Sequence, residues 1–336
     1  MILVTGGTGL TGSHLLFELT SRGDKVRATK RSGSSVDFVR KVFSLYTNNP
    51  DTLLNQIQWV DVDLIDYRSV LEATRNIDTV FHTGAVVSFN PKDSTSIKET
   101  NIKGTANVVD ACIESGVKTL CHVSSIASLG EPNPQGAIDE LCNWTKSKGQ
   151  SVYAKSKFYG EMEVWRGAEQ GLRVIIVNPS VILGPGRWNT GSGQLFSRIS
   201  KGMPFFTSGV SGYVDVRDVA KALVLLNDKQ EIANERFILN SENVSFKELF
   251  TLIANGIGKK PPFIEVKPWI VNVIYPFIKL IGIIVGKGTA VSRSNLKSAF
   301  SISNYSSEKV KKAIGFEFIP IADSIGFISK IYQDGL

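Results

Sequence analysis

Apolar and polar positions change rhythm in regular blocks along the first half of the chain. Met1–Val4 is a short apolar run. Glycines follow, and Leu15, Leu16 and Leu19 then recur at helical spacing until Gly23. Lys25–Thr29, Ile57–Val62, Thr79–His82 and Thr119–Val123 are further short runs of strand type. Between them, Tyr67–Arg75 sets Val70, Leu71 and Ala73 on a helix face. Asn101–Ser115 does the same with Ile102, Ala106, Val109 and Ile113, and Gly116 ends it. Val152–Glu169 reads as a long helix stopped by Gly171, and Arg173–Asn178 as a sixth strand. Such alternation of strand and helix implies a parallel sheet with helices on both faces. Right-handed crossovers then gather the carboxyl ends of the strands along one edge, where ligands bind.

After Asn178 the pattern loosens. Five prolines and glycines fall within Pro179–Gly191, and a short helix is expected over Gln194–Lys201. Val214–Leu226 reads as a helix and Glu235–Leu239 as a strand. The remainder reads as mostly helical, punctuated by Pro261-Pro262, Pro268 and Pro276. The expected architecture is α/β: a Rossmann-type doubly wound parallel sheet from residues 1–178, with 213–240 returning to it. A smaller, mostly helical substrate-binding lobe takes 179–212 and 241–336. Residues 268–286 are strongly apolar, but Pro276 and Lys279 interrupt them, leaving uncharged stretches of 11 and 7 residues. A spanning helix needs about 20 apolar residues. The stretch therefore reads as a pocket or core helix rather than a transmembrane span, with a membrane-surface or oligomer contact as the alternative.

Composition narrows the class. With 336 residues, 42% hydrophobic and 21% charged, the chain buries a substantial core and is neither disordered nor fibrous. Cys112, Cys121 and Cys142 form no disulfide framework, and His14, His82 and His122 are too scattered for a metal site. The amino terminus lacks the charged and small-residue signals of a secretory leader, so a reducing cytoplasm is expected. The net charge of +7 is spread along the chain rather than gathered in a patch, which argues against a nucleic-acid partner. It leaves a phosphate-rich ligand welcome.

Candidate chemistry begins at Thr5-Gly6-Gly7-Thr8-Gly9-Leu10-Thr11-Gly12, directly after the first strand and opening a helix. Gly6, Gly9 and Gly12 let the backbone turn tightly and approach a pyrophosphate. Thr8, Leu10 and Thr11 lie at the helix start, whose free N–H groups and dipole favour an anion. A dinucleotide site for an unphosphorylated ribose usually carries an acid at the end of the second strand. Here the chain reads Lys30-Arg31, with no acid until Asp37, which suits a 2′-phosphate and favours NADP over NAD. Asp63-Leu64 after the third strand reads either as an adenine contact or as a plain loop acid and its neighbour. Gly84-Ala85-Val86 offers small residues where backbone passes close to a cofactor. His82 reads as a packed strand residue.

Ser124-Ser125 ends the fifth strand, and Tyr153 and Lys157 lie four apart at the start of the following long helix, hence on one face. A nearby ammonium is expected to favour the phenolate and so lower the tyrosine's pKa, while a serine hydroxyl holds a substrate oxygen. Tyr275/Lys279 and Tyr305/Lys309 match the same spacing but lie beyond the sheet, where they read as ordinary surface or loop residues. Pocket walls are expected from Val86–Asn90, Ser180–Trp188 and Gln194–Phe206, with Phe89, Trp188, Phe205 and Phe206 as candidate contacts.

These motifs, together with Asn101, Gly104-Thr105, Asn178-Pro179-Ser180-Val181-Ile182-Leu183-Gly184-Pro185-Gly186 and Tyr213–Ala220, resemble the extended short-chain dehydrogenase/reductase superfamily, the NAD-dependent epimerases/dehydratases. The resemblance spans nearly the whole chain. It implies Ser125, ahead of Ser124, with Tyr153 and Lys157 as the catalytic set. It also implies that Lys157 holds the nicotinamide ribose, that Asn101 supports a water relay, and that Pro179, Ser180 and Val181 border the cofactor. Val26-Arg27-Ala28-Thr29 followed by Arg31 looks like the dihydroflavonol-reductase and hydroxysteroid-dehydrogenase-like branch, which implies NADP. Sugar-nucleotide dehydratases carry Thr-Asp-Glu at the serine strand; this chain reads Ser125-Ile126-Ala127-Ser128, so dehydration is not expected. The implied activity is hydride transfer between NADP(H) and a carbonyl or alcohol of a small, fairly apolar substrate, with a homodimer by analogy. The rival readings are a nucleotide-sugar epimerase with tightly bound NAD and a non-catalytic dinucleotide-binding protein.

Overall fold

The short apolar runs become strands of one sheet. A computed structural model describes residues 1–88, 90–144, 149–270 and 298–335. In chain order the elements are β1 (Ile2–Thr5), α1 (Leu10–Ser21), β2 (Val26–Lys30), α2 (Asp37–Ser44), α3 (Pro50–Leu54), β3 (Gln58–Asp61), α4 (Tyr67–Thr74) and β4 (Thr79–His82). Next come α5 (Ser94–Lys98), a π-helical turn (Glu99–Lys103), α6 (Gly104–Glu114), β5 (Thr119–Val123), β6 (Ala137–Ile138), α7 (Val152–Glu169) and β7 (Arg173–Pro179). They are followed by β8 (Val181–Leu183), α8 (Gly193–Ser200), β9 (Phe205–Phe206), β10 (Val210–Asp215), α9 (Val216–Asp228), β11 (Glu235–Leu239), β12 (Glu242–Ser245) and α10 (Phe246–Gly256). The later part holds the strands Ile264–Glu265 and Asn304–Tyr305 and the helices Glu308–Ile314 and Ile321–Gln333.

Seven strands form the central sheet in the order β11-β7-β5-β4-β1-β2-β3, and every pairing in it is parallel. Alternate residues serve opposite faces, as the strand period of two requires. Val4, Phe81, Cys121, Ile175 and Val177 pack with α1 and α9. Leu3, Val80, Leu120, Val174 and Ile176 pack with α4, α6 and α7. The strand order reverses between β1 and β4, so this Rossmann-like sheet has its switch point, and hence its ligand crevice, at the carboxyl ends of those two strands. A third cluster, with Leu183, Phe196, Tyr213, Leu249, Ile253 and Ile325, joins β8, β10, α8, α10 and the helix Ile321–Gln333. Asp215 ties that helix to α9: it accepts from Arg217 N at 2.8 Å and from Ser324 Oγ at 2.6 Å.

Several expectations need correction. Val210–Asp215, partly read as helix, is a strand that pairs with β8 and β12. Its buried end runs into the apolar start of α9 without a change of period, and only the capping Asp215 marks the boundary. The helix expected over Asn101–Ser115 begins earlier and contains a π-helical turn around Asn101. Helices α2 and α3 stood in a stretch given no element. Phe89, Tyr275, Lys279 and residues 271–286 of the apolar stretch lie outside the described residues. Among the described residues no helix is long and apolar enough to cross a membrane.

All three histidines are buried in this core. Burial pushes His14 down to about 4 and His82 to about 3, and holds His122 well below its ordinary 6.5. Folded imidazoles stay neutral while unfolded ones take up protons below about pH 6.5. The unfolded chain then binds more protons, so stability rises with pH and is lost on acidification. Each histidine contributes about 1.4 kcal/mol per pH unit; three together make the slope approach roughly 4 kcal/mol per unit near pH 5. Urea midpoints measured between pH 7 and 5 should fall accordingly, and a flat profile would contradict neutral burial.

Candidate active site

At the switch point the glycines let two backbones touch. Gly6 has φ +70°, and a Cβ there would stand 2.6 Å from Gly84 Cα. A Cβ on Gly12 would stand 2.2 Å from Gly6 O, so the first turn of α1 lies directly against the loop. Gly9 N donates to Gly6 O at 2.9 Å, and Gly6 N donates to Thr29 Oγ1 at 3.2 Å. Gly9 is exposed at the N-cap of α1 and offers no capping side chain, and the first turn of α1 has no acid. Thr8, Leu10 and Thr11 are partly buried beside it. Free N–H groups, absent Cβ atoms and a positive dipole end are what a pyrophosphate needs, so these residues fit a dinucleotide. Gly84 runs past Leu64 Cδ1, which a Cβ would meet at 2.9 Å. Ala85 stays exposed beyond it. Gly12→Ala should therefore abolish measurable NAD(P)H binding in a fluorescence titration. Gly326→Ala, where a Cβ meets nothing within 4 Å, should leave binding unchanged; equal binding by both variants would contradict this cradle.

The end of β2 divides the two proposed bases. Lys30 Nζ is paired with Asp61 Oδ1 at 2.5 Å, whereas Arg31 is exposed and, among the described residues, makes no ion pair. Arg27 is structural, holding Gln58 and the carbonyls of Ala73 and Arg75. The 2′-phosphate reading thus falls mainly on Arg31. Asp63 accepts from Ile65 N at 3.0 Å and shapes the turn that carries Leu64 toward the crevice.

Ser125, Tyr153 and Lys157 lie at the carboxyl end of β5. Ser151 caps α7, accepting from Ala154 N at 3.0 Å, which fixes where Tyr153 emerges. The Tyr153 and Ser125 side chains are hydrogen-bonded. Lys157 is buried one turn on and donates from Nζ to Val123 O at 2.8 Å. Burial lowers the Lys157 ammonium to about 8, and Glu161 draws it part of the way back. The expectation that this ammonium depresses the phenol is corrected. Burial raises the Tyr153 pKa, and only the bond to Ser125 opposes it. The folded protein therefore holds the Tyr153 phenol in its protonated form.

Beneath the three lies a group that sequence reasoning missed. The buried Glu161 carboxylate accepts at Oε2 from Ser124 Oγ at 2.6 Å, Ser128 Oγ at 2.7 Å and Asn178 Nδ2 at 2.9 Å. At Oε1 it meets Arg236 at 3.1 Å. Asn178 Nδ2 and Ser128 Oγ also reach Ser125 O, at 3.2 and 2.7 Å. Ser124 is thus committed to Glu161, which leaves Ser125 facing Tyr153. The available signal was Glu161's place one helical turn after Lys157 on the same face of α7. Asn101 holds the loop beyond Gly84: its amide bonds Val86 N at 2.7 Å and Val86 O at 2.9 Å, and reaches Ser156 Oγ at 2.9 Å. A Cβ on Gly160 would stand 2.4 Å from Asn101 O, so α7 crosses the π-helical turn at backbone contact.

Pro179 ends β7 opposite Leu239, Ser180 Oγ donates to Leu239 O at 3.2 Å, and Val181 pairs with Tyr213. These three residues build the carboxyl edge through backbone. The competing Lys309 is not a free surface group; it holds Arg236 O at 2.9 Å and Glu235 at 2.8 Å. Trp188 lines an apolar groove of about 350 Å³ with Phe38, Gly186 and Arg187. Phe205 and Phe206 line another of about 250 Å³ with Phe246 and Phe250. Neither groove includes the glycine loop or the Ser125–Tyr153–Lys157 set, so the structure does not gather these aromatics into one pocket.

The model of the NAD dependent epimerase/dehydratase family matches residues 2–239. Sterol demethylase protein B of Methylococcus capsulatus is 31% identical over 270 residues, covering 79% of this chain and 77% of that protein. Tetraketide alpha-pyrone reductase 2 of Arabidopsis thaliana is 31% identical over 279 residues, covering 77% and 83%. The crystal structure of gox2253 superposes with a TM-score of 0.83 at 28% identity, covering 100% of this chain and 98% of that one.

Proposed function

The chain belongs to the NAD dependent epimerase/dehydratase family and is an NAD(P)-dependent oxidoreductase; from that premise we propose that it reduces a carbonyl on a small, fairly apolar molecule with NADPH, or runs the reverse oxidation. The observation that carries this reading is the Ser125–Tyr153 hydrogen bond, with Lys157 one turn away at the carboxyl edge of the sheet. The dinucleotide supplies or accepts the hydride. Ser125 orients the substrate oxygen, and Tyr153 donates its proton to that oxygen as the carbon is reduced to the alcohol. Lys157, freed from Val123 O or shared with it, holds the nicotinamide ribose. Glu161 fixes the Ser124–Ser128 segment and so the direction of the Ser125 hydroxyl.

Arg31 supports NADP, since an exposed guanidinium at the end of β2 suits a 2′-phosphate. Two relatives carry a sterol and a tetraketide alpha-pyrone in their names, both largely apolar classes. The lobe of 179–212 and 241–336 is the proposed substrate side. The test is a paired titration with NADPH and NADH, followed by a panel of carbonyl substrates read at the reduced-nicotinamide absorbance. NADPH should bind more tightly. Arg31→Ala should weaken it roughly 10–100-fold, the worth of a charge-assisted hydrogen-bond pair, with NADH little affected. A preference for NADH, or an indifferent Arg31→Ala, would overturn the NADP assignment. NAD that stays bound through gel filtration would favour an epimerase.

A further inference from the structure

Three buried side chains form a one-way line of hydrogen bonds beneath the crevice. Thr5 ends β1 and His82 ends β4, the two strands of the switch point, and they stand in register. Thr5 Oγ1 lies 2.6 Å from His82 Nδ1, and His82 Nε2 lies 3.1 Å from Thr105 Oγ1. Thr105 Oγ1 donates to Asn101 O at 2.8 Å. A hydroxyl has one proton to give. Thr105 spends its own on Asn101, so it accepts from His82 Nε2. The buried ring is neutral, so Nδ1 accepts from Thr5 Oγ1. The line thus joins the start of the glycine loop to the π-helical turn, a local distortion that recurs at functional sites. Asn101 in turn grips Val86 N and Val86 O. On the near side, Thr83 Oγ1 donates to Thr5 O at 2.7 Å. Residues Gly84–Val86 are therefore held at both ends by groups that His82 connects.

The neighbouring ring supplies a contrast. His122 stacks on His82 with centroids 5.1 Å apart and is also buried. Neither of its ring nitrogens has a hydrogen-bond partner among the described residues. One histidine carries the line; the other packs beside it. We propose that His82 is a positioning residue for the dinucleotide, setting the Gly84–Val86 loop against the glycine loop at the spacing the cofactor needs. The inference rests on the proposed reading that a nicotinamide dinucleotide lies across this crevice. It adds a residue too deeply buried to touch that cofactor.

The test is fluorescence titration of NADPH into the full chain and its variants, with urea unfolding in parallel. His82→Phe keeps a ring and removes both polar atoms. Thr105→Val keeps the side-chain shape and removes the hydroxyl. Each should weaken NADPH binding roughly 3–10-fold, about the worth of one net hydrogen bond. The two together should weaken it no more than either alone, because one broken link opens the whole line. Thr105→Ser keeps the hydroxyl and should bind like wild type, as should His122→Phe. A residue that only packs would move the urea midpoint without this pattern of affinities. If His82→Phe does not fold, Thr105→Val set against Thr105→Ser decides alone. Wild-type affinity in a folded His82→Phe or in Thr105→Val would overturn the proposal. So would losses that add in the double variant, or an equal loss in His122→Phe. A wild-type chain that binds neither NADPH nor NADH would overturn the cofactor reading itself, and this inference with it.

Discussion

Tyr153→Phe lowers turnover roughly 10²–10⁴-fold, the usual worth of a positioned proton donor, and leaves NADPH affinity nearly unchanged. The phenol is the group whose hydrogen bond to Ser125 places a proton at the carboxyl edge of the sheet. The glycine cradle, Arg31 and the Lys157–Val123 contact do not depend on it. The ring remains, so packing at the start of α7 is kept. Steady-state rates on a substrate found in the carbonyl panel, set beside NADPH titration of the same variant, check the result. Full activity in Tyr153→Phe would remove the tyrosine from the chemistry, whereas lost NADPH binding would mean that the substitution had disturbed the cradle.

Glu161→Ala destabilises the fold by about 3–5 kcal/mol, because removing one partner strands a buried charge. Arg236 is only 8% exposed and would keep its bonds to Glu140 O and Asn143, with no carboxylate to balance them. Ser124, Ser128 and Asn178 would lose a shared acceptor at the same time. Set against a typical total of about 5–15 kcal/mol, that loss brings the protein close to unfolding. Glu161→Gln keeps an acceptor and should cost less. Urea unfolding followed by circular dichroism measures both variants, and a wild-type midpoint for Glu161→Ala would show that the cluster contributes nothing net.

What the sequence disclosed follows from the range of the interactions involved. Strands β4, β5 and β11 and helix α7 were legible at the residue level, since each is a run of one period, and Gly171 marks the end of α7. The glycine loop was legible because the backbone approach it makes allows no other side chain. Helix α2 carries a readable signal, with Val39, Val42 and Phe43 buried at helical spacing, but its many polar neighbours masked it. The pairing of Lys30 with Asp61 joins residues on neighbouring strands, and no local pattern encodes it. The rise in the Tyr153 pKa is likewise a burial effect set by the whole fold, opposed by the Ser125 hydrogen bond and not by the lysine that Tyr-x-x-x-Lys spacing suggests. The Glu161 cluster draws on β5, α7, β7 and β11 together, so only the acid's position one turn after Lys157 hinted at it.

Isotope transfer tests the central claim most directly. With NADPH deuterated at nicotinamide C4 on the transferred side, the wild-type protein should deliver deuterium to the carbinol carbon of the product, one atom for each cofactor oxidised. Tyr153→Phe should deliver it orders of magnitude more slowly. Deuterium retained on the nicotinamide would contradict hydride transfer to the substrate, and an equal transfer rate in the variant would contradict the assignment of proton donation to Tyr153.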